Sequence, residues 1–576
     1  MKWIPFNLGA ARSLPIGSAL RRAFAKGYGA NELRADLMAG VVVGVVALPL
    51  SMALAIGVGV PPQHGLYTAV VAGAVVALLG GCKFQVTGPT AAFIVILAPI
   101  VSQYGLSGLL TAGFLAGILL LGMGLARLGK LIQFIPHPVT TGFTTGIATV
   151  IATLQIKDVL GLSLGPLPAH YSEKLAALWS ARGSTNGAAL AVAALTLALL
   201  LSIPRVVRRV PAPLIAITLV SVVCFLLQRA WPGFSVPTIG SRFQTTIDGV
   251  IVSGIPPLLP TPSLPWGSGF SIALVRELLP AAFAIAMLGA IESLLSAVIA
   301  DGMTGTRHDP DAELVGLGIG NILAPIFGGI AATGALARTA TNIRAGARSP
   351  LSAVTHSVVV LLSILVLAPL VAYVPMAALA ALLLLVAWNM SDMHGFIGVV
   401  KVAPKSDVFV LLTCFALTVL FDMVIAVSVG VVLAAMLFMK RMAELTEGRT
   451  PLDNSGESPE LALPSGVALY EINGPLFFGA AQKAMEAIHS ASSDGYRVMI
   501  LHLGKVPVID GTGLVALDNA IAGLMRRKKQ VVIAGPLPNP RSVFDKARLE
   551  HKHPGLVFSD SLVTGIRKAE QLVAAP

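Results

Sequence analysis

Charge is scarce in this chain. Only 12% of its 576 residues are Asp, Glu, Lys or Arg, against roughly 25% in soluble domains, so a protein bathed wholly in water is excluded. Cysteine is scarcer still. Cys82, Cys224 and Cys414 lie far apart within apolar segments, which leaves no disulfide framework and no metal-ligand spacing. They read as small core hydrophobes. No glycine-rich nucleotide loop and no nucleophile–base–orienter arrangement is present, so neither enzymatic activity nor a cofactor is expected. A cleavable leader is not expected either: about 35 mixed residues precede the first apolar run, and no short h-region with a small-residue cleavage site follows.

Hydrophobic residues fill the space that charge leaves, at 55% of the chain. Apolar windows long enough to span or half-span a bilayer occur near 38–57, 65–81, 88–102, 106–126, 138–161, 187–203, 212–229, 274–299, 312–328, 335–347, 350–370, 374–389, 406–422 and 423–439, giving about fourteen segments. The net charge of +12 does not point to nucleic acid, because the basic residues follow alternate loops. Lys2, Arg12, Arg21, Arg22, Lys26 and Arg34 precede the first span. Arg127 and Lys130, then Arg205, Arg208 and Arg209, then Arg344 and Arg348, then Lys401 and Lys405, then Lys440 and Arg441 mark later ones. The positive-inside rule then places both termini in the cytoplasm, with the chain in the cell (inner) membrane. The acidic 307–313 loop fits that pattern less cleanly, and acidic residues weigh little in it.

Two apolar stretches break in the same way, at Gly80-Gly81-Cys82-Lys83-Phe84-Gln85-Val86-Thr87-Gly88-Pro89-Thr90 and at Gly328-Gly329-Ile330-Ala331-Ala332-Thr333-Gly334-Ala335-Leu336-Ala337-Arg338. Unwound backbone survives at membrane depth only where protein or a watery cavity satisfies it. Paired broken segments point to a transporter's midplane site.

Glu292 stands in the middle of an apolar span. Gly289, Glu292 and Ser296 share one helical face, which predicts a stripe turned to protein or a cavity. An ionisable group at that depth is a functional-site hypothesis, and burial disfavours its anion, so Glu292 is expected to take up a proton. The alternative is a structural carboxylate bonded to neighbouring helices. Arg338 falls in the first turn after the second break, where a half-helix N-terminus adds roughly half a positive charge. A half-helix starting near Pro89-Thr90 would supply the same dipole from the other side. Snorkelling of Arg338 to the surface is the alternative. Asn321 and Asn389 read as interhelical hydrogen bonders, and Lys157-Asp158 as an interfacial anchor.

Composition changes after Arg441. Residues 1–37 read as a cytosolic N-terminal segment, 38–441 as the transmembrane region (repeats about 38–229 and 274–439), 442–464 as a polar linker and 465–576 as a small α/β domain. Strands are predicted at 467–472, 498–503 and 531–534, with helices near 479–492, 512–526, 540–549 and 561–573.

These residues carry a family resemblance. Leu48-Pro49-Leu50-Ser51-Met52-Ala53-Leu54-Ala55, Val60-Pro61-Pro62-Gln63-His64-Gly65-Leu66-Tyr67, Thr87-Gly88-Pro89-Thr90 and Gly289-Ala290-Ile291-Glu292-Ser293-Leu294-Leu295 resemble the sulfate permease (SulP) family. Asp510-Gly511-Thr512-Gly513-Leu514 resembles the turn of a STAS domain. The resemblance implies a polytopic helical membrane protein with fourteen segments in a seven-plus-seven inverted repeat, core and gate domains, and a homodimer. Carried over, its anion pocket falls on Leu50, Leu54, Thr87, Gly88, Pro89, Thr90, Gly334, Ala335, Leu336, Ala337 and Arg338, and its coupling site on Glu292 and Ser296.

Within the family, Thr304-Gly305-Thr306-Arg307-His308 and Val386-Ala387-Trp388-Asn389-Met390-Ser391 are similar to the bacterial C4-dicarboxylic acid transporters. The expectation is therefore proton-coupled uptake of succinate, fumarate or aspartate. Sodium- or proton-coupled bicarbonate or sulfate transport and an uncoupled anion channel are the alternatives. In the STAS turn, Asp510 and Thr512 are candidate regulatory residues. Thr512 reads either as a phosphorylation site or as an ordinary helix N-cap, and a cytosolic protein partner is implied.

Overall fold

Proline and glycine set the helix ends. The computed structural model describes residues 16–25, 27–132, 136–165, 167–168, 170–206, 211–231, 233–247, 250–267, 269, 271–421, 423–445, 447–449, 463–477 and 495–574. In the membrane region, besides a ten-residue helix at Tyr171–Ser180 and single helical turns at Gly129–Ile132, Ala181–Ser184 and Ile239–Arg242, the helices are α1 (Ser18–Ala25), α2 (Ala30–Val58), α3 (Pro62–Leu79), α4 (Ala92–Leu125), α5 (His137–Val159), α6 (Gly187–Val206), α7 (Ala212–Ala230), α8 (Ile272–Thr304), α9 (Pro310–Ile326), α10 (Leu336–Arg344), α11 (Leu351–Val371), α12 (Met376–Met390), α13 (Met393–Val402), α14 (Lys405–Leu420) and α15 (Met423–Leu445). Besides a hairpin of Gln244–Ile247 with Val250–Ser253 between α7 and α8, two two-residue strands interrupt them: β1 (Thr87–Gly88) before α4 and β2 (Thr333–Gly334) before α10.

Gly59, at φ 96, ends α2 in the left-handed region that costs glycine nothing. Asp309 caps α9 by accepting from the Ala312 N–H at 3.2 Å, and Pro310 fills the first position, where a missing N–H is harmless.

Among the described residues, ten helices are long and apolar enough to cross a membrane. The expected fourteen segments map onto these plus three shorter helices, α9, α10 and α14, with α4 counted twice. Gly105, at φ 66 and ψ −169, kinks α4 between the windows expected at 88–102 and 106–126.

The helices sort into two bundles. α2, α3, α4, α8, α9 and α11 pack on one another around the two short strands. α5, α6, α7, α12 and α14 form the other group, in which α5 packs on α12 and α14. Small residues bring backbones together in the absence of a hydrophobic drive between helices in lipid. A Cβ on Gly117 of α4 would lie 2.6 Å from the Ile322 nitrogen of α9, and one on Gly318 would lie 2.5 Å from the Leu121 nitrogen. No side chain fits at either position.

Three expectations are corrected here. α2 begins at Ala30, eight residues ahead of the apolar window, because a polar residue with partners costs little inside protein. Asp36 is fully buried and accepts from the Tyr28 hydroxyl at 2.7 Å, the Arg348 and Ser349 N–H groups at 2.5 and 3.0 Å, and the Ser349 hydroxyl at 2.5 Å. Residues 30–37 are thus built into the membrane unit. Glu313, expected in a loop, is a buried residue of α9. Asn389 is exposed and makes no interhelical hydrogen bond among the described residues.

Lys157 and Asp158, the expected anchor, border a cavity of about 370 Å³ with Arg242. Lys157 Nζ donates to the Gly165 carbonyl at 3.0 Å, and Asp158 pairs with Arg242 at 2.6 Å. No residue of either break lines this cavity.

The N-terminal helix α1 is stapled to the same unit. Arg22 donates to the Arg307 carbonyl at 3.0 Å and to the Gly81 carbonyl at 2.9 Å, and the Gly17 N–H donates to Leu79 O at 2.6 Å.

The chain divides into two compact units between Val431 and Val432, inside α15. The second unit holds a five-stranded sheet of β3 (Glu447–Arg449), β4 (Val467–Asn473), β5 (Val498–Lys505), β6 (Gln530–Ala534) and β7 (Val557–Ser559), in that order. β3 runs antiparallel to β4, and the remaining pairs are parallel. A strand therefore lies inside the expected linker. The described helices are α16 (Gly511–Arg526), α17 (Pro538–Lys546) and α18 (Leu562–Ala574), apart from one short turn. The helix expected at 479–492 lies outside the described residues. Alternation along the strands buries Met499, Leu501, Val531 and Ile533 with α16, and Val498, Ile500 and Val532 with α18, as period-2 side-chain placement requires.

Candidate functional site

The two Thr-Gly breaks pair with each other. Thr87 faces Gly334 and Gly88 faces Thr333 in a two-residue antiparallel ladder. The Ala335 N–H extends it by donating to Val86 O at 2.9 Å. Backbone groups exposed by unwinding are thus satisfied within protein.

Helices α8 and α9 hold the ladder in place. Thr333 Oγ1 donates to the Gly289 carbonyl at 2.8 Å. Asn321, wholly buried, donates to Ala332 O at 2.9 Å and accepts from Ala332 N at 2.8 Å. Glu313, 1% exposed, accepts from the N–H groups of Gly81 and Cys82 at 2.9 and 2.8 Å and from Gln85 Nε2 at 2.7 Å.

The stripe predicted on α8 faces these breaks. Thr90 Oγ1 donates to Glu292 Oε2 at 2.9 Å, and Glu292 is only partly buried. Gly289 serves Thr333. Ser296 donates to Thr339 Oγ1 at 3.3 Å, and that oxygen also accepts from the Val86 N–H at 3.1 Å. Ser296 thus tightens α8 onto α10.

Arg338 is 1% exposed, so it does not snorkel. One guanidinium nitrogen, Nη2, donates to the Pro89 carbonyl. The group lies against Gly88, where a Cβ would come within 2.4 Å of Nη1. Nε and Nη1 have no hydrogen-bond partner among the described residues. The third position of α10 turns inward to the first break, whereas Leu336, 46% exposed, and Ala337 face out. Arg338 therefore acts from behind the Pro89-Thr90 turn, which carries Glu292 on its hydroxyl. The two charged groups meet adjacent residues of one turn.

The remaining expected positions divide by exposure. Thr87, Gly88, Pro89, Gly334 and Ala335 are buried scaffold. Leu50 and Thr90 are partly exposed. Leu54 is 1% exposed and packs inside protein, so it lines no open surface. Helix α4 starts at Ala92 with Ala91 as its cap, so Pro89 is not its first residue. Its opening residues Ala91, Ala92 and Phe93 are buried. The start of α10 has no side-chain cap, which leaves an accessible N-terminal dipole. Sequence reading passed over Glu313 and Gln85. The only available signal was an acid in the first turn of a helix capped by Asp309-Pro310.

In the second unit, Asp510 is the N-cap of α16, accepting from Gly513 N at 2.7 Å. Thr512 is exposed at the second position of the helix and does not cap.

The sulfate permease family model matches residues 33–414, and the STAS domain model matches 458–561. YvdB of Bacillus subtilis (strain 168), whose name assigns it provisionally to sulfate transport, is 42% identical over 533 residues, covering 92% of this chain and 96% of its own. The bicarbonate transporter BicA of Picosynechococcus is 30% identical over 545 residues, covering 91% and 92%. Among solved structures, the transmembrane domain of a cyanobacterial BicA superposes with a TM-score of 0.60 at 29% identity, covering 69% of this chain and 98% of that one. Murine Slc26a9, at 17% identity, shares the fold with a TM-score of 0.82, covering 96% and 94%. With paired breaks inside a multi-pass bundle and a separate five-stranded unit following it in sequence, the chain belongs to the sulfate permease family of anion transporters and carries a C-terminal STAS domain.

Proposed function

We propose that the chain is a secondary active carrier that binds a small anion at the accessible start of α10, between Leu336, Ala337, Leu50 and Thr90, and couples its movement to protonation of Glu292. The Thr90–Glu292 hydrogen bond at 2.9 Å carries this reading, because it joins a titratable group to the first break. A deprotonated Glu292 repels an anion bound beside Thr90. A proton removes that charge, so proton and anion each favour the other's binding by one shared factor. Arg338 and the α10 dipole supply the opposing positive potential through Gly88 and Pro89. The buried ladder residues Thr87, Gly334 and Ala335 hold the site's shape, and the bundle carrying the breaks is the moving core in a seven-plus-seven repeat.

The substrate we assign first is a C4-dicarboxylate such as succinate. Its charged ends suit the helix start, and its apolar middle suits Leu50 and Leu336. Bicarbonate or sulfate is the second reading, favoured by the names of the YvdB and BicA relatives. We also place both termini in the cytoplasm of a homodimer in the inner membrane, and treat the exposed Thr512 as a regulatory position of the STAS domain.

Uptake of labelled succinate, bicarbonate and sulfate into proteoliposomes, with and without a proton gradient and with sodium replaced by choline, tests all of this. Inward-acid gradients should drive uptake in choline. Glu292→Gln should abolish the pH dependence, and a wild-type profile in that variant overturns the coupling role.

A further inference from the structure

We propose that Glu313 and Asn321 of α9 are positioning residues for the anion site, and that Glu313 sets where Thr90 stands. The inference rests on the reading above insofar as it takes the breaks to bind the anion.

Residues 313, 317 and 321 recur every four positions, so they share one face of α9. From that face Asn321 grips both backbone groups of Ala332, directly before β2. Glu313 grips the other break at three places, the N–H groups of Gly81 and Cys82 and the side chain of Gln85, and Ser293 adds a longer contact to Oε1 at 3.4 Å. One helix therefore fixes both breaks.

α9 is itself immobilised. Gly117 and Gly318 press it backbone to backbone on α4, and Gly316 presses on Gly80, where a Cβ would lie 2.8 Å from Gly80 Cα.

The grip reaches Thr90 through few free joints. From Cys82 to Thr90 the chain has no helix to absorb a shift. Gln85 is tied to Glu313 and also donates to Ser293 Oγ at 2.6 Å. The next residue, Val86, is tied by both its N–H and its carbonyl. A displacement at Gly81 passes along this run to the residue that bonds Glu292.

The chemistry requires a carboxylate. Both oxygens of Glu313 accept, Oε2 from the Gly81 and Cys82 N–H groups and Oε1 from Gln85 Nε2 and Ser293 Oγ, so an amide in either orientation sets its NH₂ against a donor, whereas Asp retains two acceptor oxygens.

Cys82 provides a readout independent of transport, since it is 5% exposed and its own N–H is held by Glu313. The test uses full-length protein in liposomes, alkylated with a membrane-permeant maleimide, with modification followed at Cys82, Cys224 and Cys414 by mass spectrometry. In Glu313→Gln, Cys82 should label about tenfold faster than in wild type, with the other two cysteines unchanged. KM for the transported anion should rise about tenfold while the maximal rate stays within about twofold. Glu313→Asp should recover most of both. If Glu313→Gln does not fold, Gln85→Leu, which removes one of the three ties, should show the same changes at smaller size.

Unchanged Cys82 labelling in both Glu313→Gln and Gln85→Leu overturns the clamp. Faster labelling with unchanged KM overturns its role in anion binding. A wild-type protein that transports none of succinate, bicarbonate or sulfate fails the earlier reading instead, and the labelling still judges the clamp.

Discussion

The two breaks are paired strand to strand but are built differently. The first is held by a carboxyl group, Glu313, at three points spread over five residues, and its half-helix starts among buried residues. α9 grips the second at a single residue through the neutral Asn321, its other ties coming from Thr68 to Ile330 and from Thr333 to Gly289, and its half-helix starts in the open at Leu336 and Ala337. A long, many-pointed grip suits a segment that must hold a hydroxyl, Thr90, against a carboxylate. A compact grip from α9 suits a segment that, in the function proposed above, aims a dipole. Pseudo-symmetric sequence motifs thus support unequal parts of one site.

Four substitutions test this division, from the largest expected effect to the smallest. Asn321→Leu should be the most damaging, because it strands both the N–H and the carbonyl of Ala332 in a dry interior. Each unsatisfied group costs about 1–3 kcal/mol, so the purified variant should lose several degrees or more of melting temperature together with its transport. Gly88→Ala places a methyl group on Nη1 of Arg338 and should push the guanidinium off the Pro89 carbonyl. Anion uptake should fall at least about tenfold with a melting loss within the roughly 1–3 kcal/mol typical of overpacking, which would mark Arg338 as part of the site rather than of the scaffold. Thr333→Val removes only the bond to Gly289 and should cost about 1 kcal/mol, visible as a small thermal shift with near-normal uptake. Ser296→Ala gives up a 3.3 Å bond and should change stability by less than about 1 kcal/mol. If uptake in this variant loses a sodium dependence that the wild type shows, Ser296 is a cation ligand and the proton reading of Glu292 falls.

Much of this was legible in the chain. The Thr-Gly repeats at 87–88 and 333–334 gave the breaks, and the lone carboxylate at 292 gave the group beside them, because both are anomalies against an apolar background. What escaped depended on partners rather than on patterns. Glu313 looked like a loop acid, since only the fold brings Gly81, Cys82 and Gln85 to it. Asp36 lay outside a hydropathy window that weighs a carboxylate as if it were solvated, whereas four donors meet it inside the protein. Arg338 was placed in the right turn of the right helix, but the facing of its side chain follows from α10 starting at Leu336, one residue after Ala335. Asp510 took the capping role that Thr512 was a candidate for, because the helix begins one residue before the threonine.

The Arg22 staple bears on how the protein is handled. Its guanidinium reaches the same Gly81 whose N–H Glu313 holds, and also the turn that leads into α9. A truncation begun at residue 30, where the first long helix starts, would discard a cross-brace of the transport machinery, and a bulky fusion ahead of Ser18 would pull on it. Purification handles therefore belong at the carboxyl end.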